Sequence, residues 1–79
     1  MFLEITTPEK KLYSGEVTTV HLPGTLGRFQ ILKNHAPMIS TLGKGVLKVK
    51  DEKGMETFDI SGGVVEVLKN KIIILAEKN

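Results

Sequence analysis

Cysteine is absent from the sequence, and so is tryptophan. Without cysteine the chain can form neither a disulfide nor a thiolate zinc site, and this favours a reducing compartment. A chain of 79 residues buries only about 60% of the surface that its unfolded form exposes. We therefore expect residues 1–79 to form one domain whose modest hydrophobic core stabilises the fold unaided.

Long hydrophobic runs are also missing. The longest, Ile72 to Ala76, is far shorter than the roughly 20 apolar residues that a membrane-spanning helix needs. Glu4 follows Met1 closely, so the pattern of a secretion signal is not present and we expect a soluble chain. The net charge is only +2 and the lysines are dispersed, which predicts a solvated surface rather than a site for a polyanion.

Period-two alternation of apolar residues recurs along the chain between glycine, proline and asparagine, the pattern of an all-β sandwich or barrel. It predicts strands over residues 2–6, 11–13, 17–22, 29–31, 38–42, 46–50, 55–60, 64–68 and 71–76. Pro23-Gly24 favours a turn, because proline presets one dihedral angle and glycine tolerates a positive φ. The last strand is apolar on both faces, as expected of a central strand.

Residues with catalytic or ligand-binding chemistry are sparse. His21 and His35 are the only histidines, too few for a closed metal site, and we expect His21 to be a partly exposed strand residue. Ser61 precedes Gly62-Gly63 but no helix follows, so this is neither a nucleophile elbow nor a phosphate loop. The glycines are expected to serve a positive φ or close packing.

Two binding hypotheses remain from the residues alone. Lys44 in Gly43-Lys44-Gly45 resembles the swinging-arm lysine of biotinyl and lipoyl carrier domains, although the residues beside it differ from the carrier tetrapeptides. A generic β-module that binds an anionic ligand is the other. Nucleic-acid binding is not expected, because the four aromatic residues, Phe2, Tyr13, Phe29 and Phe58, are scattered over different segments.

Several short motifs, in order and spacing, cover essentially the whole chain. They are Thr7-Pro8-Glu9-Lys10, Leu12-Tyr13-Ser14-Gly15, Val20-His21-Leu22-Pro23-Gly24, Ile31-Leu32, His35-Ala36-Pro37 and Ser61-Gly62-Gly63-Val64-Val65-Glu66-Val67. With these motifs the chain resembles the N-terminal domain of the F-type ATP synthase epsilon subunit. No single motif is decisive, and the specificity comes from their order.

The resemblance implies an all-β fold, a ten-stranded β-sandwich of two five-stranded antiparallel sheets. It also implies a rotor subunit of the central stalk, without catalysis, cofactor or metal, that clamps the gamma subunit onto the c-ring of a proton- or sodium-translocating ATP synthase. Such a subunit is peripheral on the cytoplasmic face of the bacterial plasma membrane and has no span of its own.

Two segments are implied as partner surfaces. The c-ring side comprises Gly24, Thr25, Leu26, Gly27 and Arg28, and the side near gamma and the ring comprises His35, Ala36, Pro37 and Met38. Between Asn34, which tolerates a turn conformation, and Pro37, which extends the residue before it, His35 is expected at a fixed position, bonded to nearby backbone. An apolar patch is expected to face gamma.

The chain departs from the family pattern at several positions. Most members carry Pro-Gly in place of Lys33-Asn34, a Gly-Val or Gly-Ile pair in place of Gln30-Ile31, and an acidic residue in place of Leu26. Arg28 also stands where an acidic or neutral residue is common. Most members continue beyond the position of Asn79 into a helical hairpin, and a protein without it would lack inhibition by that element.

Two substitutions follow from this interpretation. Charge reversal at Arg28 is expected to alter docking on the ring and to leave the sandwich folded. Phe58→Ala is expected to cost roughly 3–5 kcal/mol if the ring is fully buried.

Overall fold

Nine strands and no helix make up residues 1–78, the part of the chain that the computed structural model describes. The strands are β1 (Phe2–Thr6), β2 (Lys11–Glu16), β3 (Thr19–Gly24), β4 (Gly27–Leu32), β5 (Met38–Leu42), β6 (Gly45–Asp51), β7 (Gly54–Ile60), β8 (Gly62–Leu68) and β9 (Lys71–Glu77). The all-β class is confirmed, and the expected ten strands are nine. Residues 33–37, the longest stretch between strands, contain Pro37, which lacks the amide hydrogen that a further ladder would use.

Two sheets pack face to face. The first has the strand order β2-β1-β9-β8-β5, and the second has the order β4-β3-β6-β7. They are continuous at one corner, where Gly24 of β3 pairs with Leu42 of β5. All pairs are antiparallel except β1 with β9, which is parallel. The expectation of two five-stranded antiparallel sheets is corrected accordingly, because β1 and β9 come from opposite ends of the chain and no turn connects them.

The core fills the space between the two sheets with inward-facing aliphatic side chains. Its buried members are Leu3, Ile5, Val17, Val20, Leu22, Ile31, Leu42, Leu47, Val49, Ile60, Val65, Val67, Ile72, Ile74 and Ala76. No polar or charged residue among residues 1–78 is buried. Burial of apolar surface is therefore the main stabilising contribution, and close packing of this layer makes the sandwich stiff.

The β3–β4 hairpin turns two residues later than the sequence predicts. Pro23 and Gly24 lie within β3, and Gly24 pairs with Gly27, so the turn is Thr25-Leu26. Proline is tolerated here because β6 pairs with β3 only as far as His21, and no ladder partner needs the missing amide hydrogen. Pro23-Gly24 is thus not the turn itself, because the strand continues to Gly24 and only its pairing with β6 is interrupted at this point.

Gly63 permits a close approach of β8 and β9. Its φ is +154°, and a Cβ atom at this position would lie 2.5 Å from the carbonyl oxygen of Leu75. This agrees with the predicted role of the Gly62-Gly63 pair in close packing. The neighbouring Ser61 hydroxyl donates a hydrogen bond to the carbonyl oxygen of Glu77, 3.1 Å away, and so helps to join the same two strands.

Tyr13 closes the side of the sandwich where the edge strands β2 and β7 face each other. Its hydroxyl donates to Oδ2 of Asp51 at 2.9 Å, and its ring meets that of Phe58 edge to face, with centroids 6.2 Å apart. Oδ1 of Asp51 accepts from the backbone amides of Lys53 and Gly54 in the β6–β7 turn. One carboxylate therefore orders the turn and binds the opposite sheet.

This contact shifts both ionisations. Burial, with the hydrogen bond to Asp51 and its charge, raises the pKa of Tyr13 to about 12. The hydrogen bond from Tyr13, followed by the amides of the turn, lowers the pKa of Asp51 from its ordinary value of 3.8. The hydrogen bond between Tyr13 and Asp51 is therefore strongest at pH values at which Tyr13 is protonated and Asp51 is ionised.

Tyr13→Phe is expected to lower the melting temperature at neutral pH by about 5 °C, the effect of one net hydrogen bond in a domain of this size. The difference from the wild type should shrink as the pH falls and Asp51 protonates. It should also shrink as the pH rises from about 10 through 12 and Tyr13 ionises. Thermal melts followed by circular dichroism across this pH range measure the change on the acid side and on the alkaline side. Asp51→Asn is the control, because it removes the carboxylate whose protonation causes the change on the acid side. A difference that does not change with pH would contradict the assignment.

Phe58 is only partly buried, so the condition for the large expected cost is not met. Phe58→Ala should cost about 1–2 kcal/mol, because a half-buried ring forfeits only part of its transfer free energy. Leu47 lies opposite Phe58 and is fully buried, and Leu47→Ala should cost about 2–5 kcal/mol. Urea titrations of the two variants compare these free energies of unfolding, and a larger loss for Phe58→Ala would be inconsistent with the packing.

Candidate partner-binding surfaces

The first predicted surface, Gly24 to Arg28, is the β3–β4 turn and its flanking residues. Leu26 at the tip is fully exposed, at 104% of its reference area. Gly24 is required here, because a Cβ atom would lie 2.6 Å from the carbonyl oxygen of Gly27 and 2.8 Å from the ring of Phe29. The structure therefore presents an apolar side chain at the end of a tight, sterically defined turn.

Contacts with β5, with β6 and with the turn between them hold this tip turn in place. The Thr25 and Thr41 hydroxyls lie 2.9 Å apart, and the Thr25 amide donates to the carbonyl oxygen of Thr41 at 3.3 Å. The Gly43 amide donates to the carbonyl oxygen of Pro23 at 2.7 Å. Arg28 is exposed, and its Nη2 donates to the carbonyl oxygen of Val46 at 2.8 Å. The turn thus has little freedom to reorient.

The second predicted surface, His35 to Met38, lies between β4 and β5. The His35 amide donates to the carbonyl oxygen of Leu32 at 3.2 Å, which closes a turn whose third residue, Asn34, has φ +66°. Nδ1 of His35 lies 2.7 Å from the carbonyl oxygen of Ala36, so the Nδ1-protonated ring donates a hydrogen bond to it. The expected backbone bond of this histidine is thus present. Met38 packs against the core.

The two predicted surfaces lie at opposite ends of the sandwich. β4 runs from Gly27 beside the tip turn to Leu32 beside the His35 loop. Five residue steps at about 3.4 Å each separate them by roughly 17 Å along the strand. At this distance they cannot form one compact site.

The sequence did not identify by residue an apolar surface on the outer face of the first sheet. The register places the outward side chains of β5, β8 and β9 side by side: Ile39 faces Glu66, and Val64 faces Leu75. Ile39 is 73% exposed and Leu75 is 58% exposed. We call Ile39, Val64, Leu68 and Leu75 the outer apolar face. β9 is central in its sheet, between β1 and β8, as its apolarity on both faces predicts, but the exposure of Leu75 shows that its outer face is not covered.

A shallow groove of about 360 Å³ connects the tip turn with the outer apolar face. It lies between the β3–β4 turn and β5, and its apolar lining includes Leu26, Phe29 and Ile39. The predicted c-ring segment therefore adjoins the outer apolar face through Ile39.

The remaining candidate residues lie apart from these surfaces. Lys44 is exposed in the β5–β6 turn, and half-buried His21 lies between Gln30 and Lys48 on the outer face of the second sheet. Within residues 1–78, no three histidine or acidic side chains come together as metal ligands, and no helix has the length and apolarity to cross a bilayer.

A model of the β-sandwich domain of ATP synthase delta and epsilon chains matches residues 1–79. The chain belongs to this family. It is 41% identical over 75 residues to the ATP synthase epsilon chain of Leptospira interrogans, and 46% identical over 76 residues to that of Chlorobium limicola. Each alignment covers 95% of this chain, with 59% of the Leptospira protein and 86% of the Chlorobium protein.

Solved structures agree with this family. A chain in the mitochondrial ATP synthase of Euglena gracilis, a complex of OSCP, F1 and c-ring, matches with a TM-score of 0.86 and 25% identity, over 94% of this chain and 48% of that one. A chain from the central stalk and c-ring of the Tetrahymena thermophila enzyme matches in fold, with a TM-score of 0.85 at 18% identity, over 98% of this chain and 63% of that one. The family model, the related proteins and the solved structures all name ATP synthase, and none of them supports a carrier function for Lys44.

Proposed function

We propose that this chain is a non-catalytic rotor subunit of a bacterial F-type ATP synthase that clamps the gamma subunit to the c-ring. The observation that carries the proposal is the outer apolar face. Its side chains lie outside the buried core of a domain that belongs to the ATP synthase delta and epsilon chain family. In that position the protein is peripheral on the cytoplasmic face of the plasma membrane, and proton or sodium flow turns it with the rotor.

The outer apolar face is better explained by a protein partner than by the fold. Ile39 and Leu75 point away from the core, and polar residues at these positions would leave the inward packing unchanged. Val64 and Leu75 are direct neighbours across β8 and β9, and Glu66 separates Val64 from Leu68 on the same face. Clustered exposed aliphatic side chains cost free energy in water and mark interaction sites on soluble domains. We assign this face to the gamma subunit, since it extends over the three strands β5, β8 and β9.

The two ends of the sandwich suit a clamp. The tip turn, with Leu26 exposed and Arg28 beside it, is assigned to the c-ring, and the His35 loop at the other end of β4 is assigned to the region near gamma and the ring. Because a close-packed apolar layer joins the two sheets, a force applied at one end is transmitted to the other with little deformation. Transmission of torque requires this stiffness and no chemical step.

Leu75→Glu tests the assignment of the outer apolar face. The added charge lies on an exposed position, so folding should be preserved, whereas copurification with the coexpressed gamma subunit of the same organism should fall by about 10-fold or more. Thr57→Glu is the matched control, because it adds the same charge on the outer face of the second sheet. Equal recovery of gamma with both variants would refute the assignment, and no recovery with the wild type would refute the proposed function.

Arg28→Glu tests the tip turn. Arg28 is exposed and makes one side-chain hydrogen bond to backbone, so the melting temperature should change by no more than about 3 °C. Binding to gamma alone should be retained, whereas retention on a complex of gamma with the c-ring should decrease and its salt dependence should change. Arg28→Gln separates loss of the charge from its reversal. Unchanged binding to the ring-containing complex would remove Arg28 from the interface.

A further inference from the structure

Two asparagines that are distant in sequence bond reciprocally at the end of the sandwich that carries His35. The Asn34 amide donates to Oδ1 of Asn70 at 2.7 Å, and Nδ2 of Asn70 donates to Oδ1 of Asn34 at 3.1 Å. Both residues have positive φ, +66° for Asn34 and +59° for Asn70, a conformation that asparagine tolerates better than most residues. We call this pair the asparagine latch.

The two sides of the latch differ in how firmly they are held. Asn70 lies in the tight β8–β9 turn, which is closed by the Leu68–Lys71 pair, and its carbonyl oxygen accepts from the Phe2 amide at 2.9 Å. Residues 33–37 form no ladder. Of the hydrogen bonds found within residues 1–78, only those to Asn70 connect residues 33–37 to a distant element of the fold.

We propose that Asn70 is a positioning residue, which holds the His35 loop in its docking conformation before the partner arrives. This inference rests on the proposed function, because it takes the loop as a partner surface. A loop that is ordered in the free protein loses less conformational entropy on binding, and the saving appears as affinity. Asn70 thereby supports an interface without having to touch the partner.

Asn70→Gly removes the latch and leaves the turn intact. Glycine adopts the left-handed conformation of this position without strain, so the β8–β9 hairpin should keep its register, but both bonds to Asn34 are lost. Lys69→Gly is the matched control: Lys69 has φ +51° in the same turn, is exposed and makes no side-chain bond within residues 1–78. It relieves the same backbone strain with the latch in place.

A second pair of substitutions replaces the latch with local stiffness. The turn from Leu32 to His35 has a positive φ at its third residue only, the type II pattern, in which proline fits the second position and glycine the third. Lys33→Pro combined with Asn34→Gly should order this turn without help from the β8–β9 turn. In that background Asn70 should no longer matter for binding.

Amide hydrogen exchange on the free chain and affinity for the gamma subunit with its c-ring are the two measurements. Asn70→Gly should speed exchange of the Asn34 amide by about 10-fold and weaken binding by about 5-fold, with melting temperature close to that of Lys69→Gly. Lys69→Gly should leave exchange and affinity as in the wild type. In the Lys33→Pro, Asn34→Gly background, adding Asn70→Gly should change affinity by less than about 2-fold.

Three results would overturn the inference. Unchanged exchange at Asn34 in Asn70→Gly would show that the latch does not order the loop. Faster exchange with unchanged affinity would show that the order of the loop is irrelevant to docking. A wild-type chain that does not bind the complex would contradict the proposed function and with it the docking role of Asn70, and this case is recognised separately because the exchange measurement needs no partner.

Discussion

A single layer of inward-facing aliphatic side chains holds the two sheets together, and the rest of the structure depends on it. Every strand except β2 contributes at least one buried side chain to that layer. Neither a disulfide nor a buried polar network supplements it in residues 1–78. Because side chains alternate across a strand, a slip of one residue in any pairing would exchange the inner and outer faces. The same burial that stabilises the fold therefore sets the register of the surfaces.

The outer surfaces are consequences of this register. Once Val65 and Ile74 point inward, Val64 and Leu75 must point outward, and the first sheet exposes an apolar face that its own core cannot cover. The edges of the sandwich are treated differently. Tyr13 and Asp51 close one open side, and the contacts of Thr25 with Thr41 hold the corner where the sheets are continuous. Stiffness at the edges and an apolar face together fit a subunit that transmits force between partners.

The sequence predicts where the strands lie along the chain better than it predicts which strands pair and which faces are exposed. The predicted bounds of β1 and β5 equal the observed ones, and the Asp51–Gly54 turn is where the pattern placed it. The errors have physical causes. Pro23-Gly24 is a turn signal that β3 accommodates because β6 pairs with β3 only as far as His21. β9 is central in its sheet as predicted, but apolarity on both faces does not reveal that Leu75 is exposed. The local sequence pattern indicates which secondary structure a residue favours. Whether its side chain is exposed depends on which other strands pack over it.

The sites follow the same division. The family resemblance implied the two candidate partner segments, which stay predictions, and the sequence predicted the turn conformation of Asn34, which the structure confirms. They did not indicate that these segments lie at opposite ends of β4, or that Asn70 holds one of them. The sequence by itself determined the all-β class, most strand positions and the family. Only the tertiary structure decided which apolar residues are exposed and which distant residues meet, because strand pairing between remote segments is set by the packing of the whole core and leaves no local periodicity to read.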